Sequence, residues 1–191
     1  MNEVAQTRGG RGARQRILDT AAALFYRDGI NATGVERLAA ESSVSKRTLY
    51  QHFPSKTAVV EEYLRGMERH VVDTVIHSRD DLPPRQRMLA AFDGRTAQTE
   101  TFRGCPFHNA AVESAGTMPG VQDIVRASKL GFADWLTELA GQAGAADPRQ
   151  LGNQLALLYE GAGALATSLD DVEPWTRAKK AAETLIDAAI G

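Results

Sequence analysis

Residues 33–56, TGVERLAAESSVSKRTLYQHFPSK, constrain the fold more tightly than any other stretch of this chain. Thr33 followed three residues later by Glu36 has the spacing of a capping box, in which hydroxyl and carboxylate each satisfy a free amide of a first helical turn. Val35, Leu38 and Ala39 then share one face over about two turns. Ser42-Ser43 interrupts that helix and Val44 returns to the core. Ser45 is a good N-cap for a second helix, Lys46 to His52, with Leu49 and then Phe53 turned inward. Two short helices joined by a tight turn form a helix-turn-helix, whose second helix is shaped for a DNA major groove.

Setting Leu49 inward turns Ser45, Lys46, Arg47, Tyr50, Gln51 and His52 outward or sideways, where base edges and phosphates would lie. Arg47 can make a bidentate contact to guanine, and Gln51 can reach adenine or a phosphate. The net charge of −2 hides a marked split. Residues 1–57 carry nine Lys/Arg against five Asp/Glu, +4, and the remaining chain carries 13 against 19, −6. A basic front on an acidic body suits a DNA-reading module joined to a sensor.

The segments LFYRDGINATGVERLAAESS and VSKRTLYQHFPSK together resemble the N-terminal signature of the TetR/AcrR family of transcriptional regulators, over roughly residues 12–60. The resemblance implies that Tyr50 and His52 touch phosphate or sugar, and that Lys56, at the start of the next helix, adds its charge to an anion-binding helix N-terminus. Thr33 completes the implied DNA-contacting set. One position departs from the pattern: the family usually has Gly at the turn position held here by Ser43. A side chain in the left-handed conformation there costs on the order of 1 kcal/mol.

Beyond this head the chain reads as all-α, with about nine helices and no β-branched alternating runs. A polar, Gly-rich arm is expected over 1–12, with Arg8, Arg11 and Arg14 able to follow a minor groove or stay solvated. A helix over 13–27, with Ile17, Leu18, Ala21, Leu24 and Phe25 on one face, completes an N-terminal three-helix bundle. A fourth helix over 56–78 carries Val59, Val60, Tyr63, Leu64, Met67, Val71 and Val75 and would connect head to body. Asp80-Asp81-Leu82-Pro83-Pro84 breaks the chain, and a fifth helix is expected over 85–102. Residues 1–57 are therefore assigned as the DNA-binding domain, and 58–191 as a helical ligand-binding and dimerisation domain.

In the body, Gly104-Cys105-Pro106-Phe107 followed by Asn109-Ala110-Ala111 resembles a Gly-Cys-Pro-Phe subgroup of TetR-type regulators, in which this segment lines the ligand cavity or its entrance. The resemblance makes Met67, Phe92, Phe102, Cys105, Phe107, His108, Phe132, Trp135 and Tyr159 the candidate pocket for a small apolar or aromatic effector. Cys105 has no recognisable base and orienting group, so nucleophilic catalysis is not expected; the alternatives are a pocket-wall thiol or a redox-sensing trigger. Asp147-Pro148 marks the start of an eighth helix. Leu151, Leu155, Leu158, Ala162, Leu165 and Leu169 then step by four and three, and Trp175, Ala178, Ala182, Leu185, Ile186 and Ala189 follow in a ninth helix. These seams can be buried within the chain or against a second copy. The family resemblance favours a homodimer through helices 8 and 9, reading a palindromic operator on double-stranded DNA.

No paired carboxylates, metal-spaced cluster or phosphate-binding glycine loop occurs, so no enzyme, cofactor or metal is expected. One cysteine, no apolar run of membrane length and no apolar signal-peptide core point to the cytoplasm. The reading that follows is a DNA-binding transcriptional repressor released by a small-molecule ligand, with a redox-sensing regulator acting through Cys105 as the alternative.

Overall fold

The computed structural model describes residues 9–77, 79–93 and 103–191, and among these every regular element is helical. They are α1 (Gly9–Asp28), α2 (Val35–Glu41), α3 (Lys46–His52), α4 (Lys56–Val71), α5 (Pro84–Ala90), α6 (Pro106–Glu113), α7 (Pro119–Gln142), α8 (Pro148–Leu169) and α9 (Glu173–Ile190). α1 begins at Gly9, so the arm expected over 1–12 is helical in its last residues; residues 1–8 lie outside the described residues. The α-helix of α4 ends at Val71 and continues as a π-helical turn, Val72–Ile76, short of the expected residue 78. There His77 N–H reaches back five residues to the Val72 carbonyl at 2.9 Å. α5 ends at Ala90, and the rest of the expected fifth helix, including Phe102, falls largely outside the described residues.

The chain forms two compact units that do not divide at residue 57. The first takes the residues up to Met67 together with Pro106–Val125; the second takes Glu68–Cys105 and Arg126–Gly191. The head thus keeps the first three turns of α4 and recruits α6, both of which the sequence reading assigned to the body.

In the first unit, Ala13, Ile17, Ala21, Leu24 and Phe25 bury the inner stripe of α1. They share a core with Leu38, Leu49, Phe53, Val59, Val60, Tyr63 and Leu64, in which the Phe25 and Tyr63 rings meet edge-to-face at 5.6 Å. α6 and the start of α7 add Phe107, Ala110, Val121 and Val125.

The capping box expected at Thr33 does not form. Thr33 is 1% exposed, and its hydroxyl donates to the Gly29 carbonyl at 2.8 Å. Its amide donates to the Ile30 carbonyl, so Thr33 closes the turn after α1, and Gly34 becomes the N-cap of α2 without a side-chain bond. Glu36, freed from capping, pairs instead with Lys46 across the helix-turn-helix.

The turn between α2 and α3 does follow its sequence. Val44 N–H bonds the Ala39 carbonyl and Ser43 N–H the Ala40 carbonyl, a Schellman closure with Ser43 left-handed at φ +53°. The buried Ser42 hydroxyl donates to the Leu38 carbonyl at 2.6 Å, and Arg16 Nε donates to the Ser42 carbonyl at 3.2 Å.

In the second unit, α8 and α9 pack along each other over a core of Met88, Phe92, Leu136, Leu139, Leu151, Leu155, Ala162, Trp175, Ala182 and Ile186. Asp147 caps α8 by accepting from Gln150 N–H at 3.0 Å, with Pro148 in the first turn. Gly152 lets α8 meet α7: a Cβ there would stand 2.3–2.8 Å from the hydroxyl, amide and Cα of Thr137. The α8 seam splits in two. Leu151, Leu155 and Ala162 are buried inside the unit, whereas Leu165 and Leu169 remain exposed beside Leu157, which the seam did not include.

Candidate nucleic-acid interface

α3 owes its rotation to two anchors, Leu49 (0% exposed) and Phe53 (3%), and its start to Ser45, whose hydroxyl accepts from Thr48 N–H at 3.0 Å. With Leu49 fixed inward, Ser45, Lys46, Arg47, Tyr50 and Gln51 are exposed and His52 is half-buried. Arg47 carries no ion pair among the described residues. Lys46 differs, because its hydrogen bond to Glu36 raises its pKa and lowers that of Glu36, leaving the pair locally neutral. Arg14, beside this face, is drawn to the protein: it pairs with Glu62 at 3.3 Å and lies 5.2 Å over the Phe53 ring.

Lys56 opens α4 next to Ser55, whose hydroxyl accepts from Ala58 N–H at 3.1 Å. Lys56 is half-buried; desolvation lowers its pKa, and the charge of Glu113 opposes that shift. Thr33 does not present its side chain on this surface, because the turn after α1 buries it.

Sequence reasoning missed Glu113, at the end of α6. Its carboxylate accepts from Asn31 N–H at 2.7 Å, while its own carbonyl accepts from Asn31 Nδ2 at 2.9 Å. Gly29, at φ +98°, lies under it: a Cβ there would come 3.1–3.4 Å from the carboxylate. Nothing in local periodicity signals a pairing across 82 residues.

The sequence matches the profile "Bacterial regulatory proteins, tetR family" over residues 17–63, and "Tetracyclin repressor-like, C-terminal domain" over residues 84–182. The second match alone spans more than half of the chain. The chain belongs to the TetR family. A TetR-family transcriptional regulator from Streptomyces coelicolor superposes with a TM-score of 0.85 at 31% identity, covering 94% of this chain and 97% of that one. A TetR-type regulator from Streptomyces avermitilis gives 0.80 at 31% identity, covering 93% and 97%. Among curated proteins, the transcriptional repressor KstR2 of Rhodococcus jostii is 43% identical over 60 residues, 31% of this chain and 29% of its own length. The transcriptional repressor DhaR of a Mycobacterium species is 27% identical over 128 residues, 64% and 61%. The chain therefore spans less than two thirds of the curated relatives it matches.

The matched family is one of bacterial regulatory proteins, and the two Streptomyces structures are of transcriptional regulators. These likenesses lend no support to a redox sensor triggered through Cys105, and with one cysteine in the chain no internal disulfide can act as the trigger. Among the described residues no group of three or more His, Cys, Asp or Glu side chains gathers as metal ligands, and no helix is long and apolar enough to cross a membrane.

The residues proposed to line a TetR effector pocket fall in different places. Met67, Phe107 and His108 belong to the first unit, where Phe107 is buried and His108 exposed. Phe92, Cys105, Phe132, Trp135 and Tyr159 belong to the second; Phe102 lies outside the described residues. Within the second unit, ring contacts join Phe92 to Tyr159, Tyr159 to Phe132, and Phe132 to Trp135. They also bring in Trp175, 5.0 Å from Tyr159, a residue the helix-9 rhythm had assigned to a seam. Lys129 Nζ donates to Glu160 Oε1 at 2.6 Å and to Cys105 Sγ at 3.4 Å. Burial pushes the Lys129 pKa down, but Cys105 and Glu160 outweigh it and the net shift is upward.

Proposed function

We propose that this TetR-family chain is a homodimeric repressor that reads a palindromic operator with α3 and is released by a small effector held in its helical body. The observation that carries the reading is the face of α3: Leu49 and Phe53 hold Lys46, Arg47, Tyr50 and Gln51 outward together, and Arg47 is free of any intramolecular ion pair among the described residues. Arg47 and Gln51 read base edges; Ser45, Lys46, Tyr50, His52 and Lys56 contact the backbone. DNA competes with Glu36 for Lys46, so part of that contact's electrostatic gain is offset by the broken ion pair.

Dimerisation is supported by the outer face of α8, where Leu157 (73% exposed), Leu165 (55%) and Leu169 (60%) form an apolar stripe. A second copy covers it in a two-fold contact with α8 and α9 of each chain, as the family habit of pairing suggests. The effector acts by binding more tightly to a conformation whose two α3 helices are wrongly spaced for the operator, and only that differential affinity shifts the equilibrium. Activation is the second reading, since a relative from Mycolicibacterium smegmatis, 38% identical over 84 residues, is named as a transcriptional activator.

The deciding experiment is fluorescence anisotropy with DNA from upstream of the chain's own gene, at stated salt, alongside light scattering of the wild type and Leu157→Lys/Leu165→Lys. Salt-dependent binding by a dimer, lost with dimerisation in the double variant, is expected. A monomeric wild type, or no preference for any palindrome, would sink the reading. A promoter-fused reporter separates repression from activation.

A further inference from the structure

We infer that the effector site of the second unit takes a neutral, flat aromatic molecule with a hydrogen-bond acceptor in its plane, met by the Trp135 indole N–H. The inference rests on the ligand-released reading above and narrows it to a chemical class.

Trp135 Nε1 is buried and without a hydrogen-bond partner, one of only two such side-chain atoms among the described residues. A buried indole N–H normally finds an acceptor, because an unmet donor forfeits its hydration without return. The neighbouring Phe132 ring does not serve as that acceptor. Its plane is tilted only 32° from the indole at 5.6 Å between centroids. The N–H lies in the indole plane, so it runs alongside the Phe132 face instead of pointing into it.

The surroundings define what would meet the donor. Phe92 and Trp175 are buried, while Phe132, Trp135 and Tyr159 are half-buried, so three of the five contacting rings keep part of their surface uncovered by the protein. The ring planes meet at 32–69°, a set of faces and edges suited to a planar guest. Lys129, one turn before Phe132, and Glu160, next to Tyr159, are charged, but they pair with each other at 2.6 Å. Neither is free to balance a charged ligand, which favours a neutral guest. An acceptor in the ring plane, as in a nitrogen heterocycle or an aryl ketone, supplies the missing bond.

The test uses the full chain and two isosteric probes near neutral pH, quinoline, which has an in-plane acceptor, and naphthalene, which has none. The chain has two tryptophans, so the indole N–H region of a nitrogen–proton NMR spectrum is simple, and Trp135→Phe assigns the Trp135 signal while keeping an aromatic ring. Quinoline is expected to move that signal downfield saturably and to bind about tenfold more tightly than naphthalene, the cost of leaving a buried donor unmet. The preference collapses in Trp135→Phe. A Trp135 signal unmoved by quinoline, or a preference that survives Trp135→Phe, overturns the inference. DNA anisotropy on the same samples keeps the two ideas apart. Operator binding with an unmoved signal refutes the ligand class alone; a moved signal without operator binding refutes the repressor reading alone.

Discussion

Asn31 and Glu113, 82 residues apart, are joined by two hydrogen bonds running in the same direction: both donors belong to Asn31 and both acceptors to Glu113. The contact ties the turn between α1 and α2 to the end of α6, within the same compact unit as the helix-turn-helix. Because the turn is exposed, the stabilisation is modest. Glu113→Ala and Asn31→Ala should each cost about 1 kcal/mol in urea unfolding, and because each removes a different side-chain-to-backbone bond, the double variant should lose roughly the sum. A double-variant loss no larger than either single one would show that the two bonds form only together.

Ser43 holds the left-handed C′ position of α2, where glycine is free of the steric penalty. Ser43→Gly should stabilise the head by roughly 1 kcal/mol, read as a thermal midpoint raised by about 2–4 °C for a chain of this size. A lower midpoint would mean the serine hydroxyl matters more than its Cβ.

Gly152 faces Thr137 closely enough that a methyl group meets backbone atoms as well as the hydroxyl. The backbone cannot swing aside as a side-chain tip can. Gly152→Ala should therefore cost about 1–3 kcal/mol by overpacking, measured by denaturant titration. An unchanged midpoint would show that α7 and α8 separate freely.

Arg47→Ala and Lys56→Ala should separate base reading from phosphate binding. The first should lose about 1–3 kcal/mol of discrimination at one base position while keeping affinity for unrelated DNA. The second should weaken all sequences alike and reduce the salt slope by about one. Equal loss of specificity in both would reassign the reading face.

Asp28 is held at a pKa of about 2, first by its hydrogen bond from Arg27 and then by Arg37, with burial opposing. A depressed folded pKa adds stability that is present above the unfolded value and disappears as pH falls toward 2. Asp28→Asn should remove that part of the acid dependence and leave the rest of the curve intact. The carboxylate is half-buried at the surface, so the effect is small and is best read at low salt. A curve unchanged by the substitution would show that the ion pair does not couple to folding.

Local rules carried the helices and the reading head. Leu38 and Ala39 on α2, and Leu49 with Phe53 four residues on, are buried as their local spacing predicts, and Ser45 and Asp147 are N-caps in the structure as in the sequence. Each of these depends only on neighbours within a turn or two, so the chain order contains the whole interaction. Thr33 shows where such rules compete. The capping box and a bond to the Gly29 carbonyl use the same hydroxyl, and burial in the turn after α1 selected the second.

What the sequence by itself determined is therefore the all-α character, the helix-turn-helix and the side of α3 that carries Arg47 and Gln51. Tertiary structure alone decided that α6 joins the head through Asn31–Glu113, that the α8 seam divides between core and surface, and that Trp175 enters the ring cluster beside Tyr159. Periodicity tells which side of a helix is apolar, but not which of several apolar partners will cover it. That choice is made only when distant segments compete for the same surface.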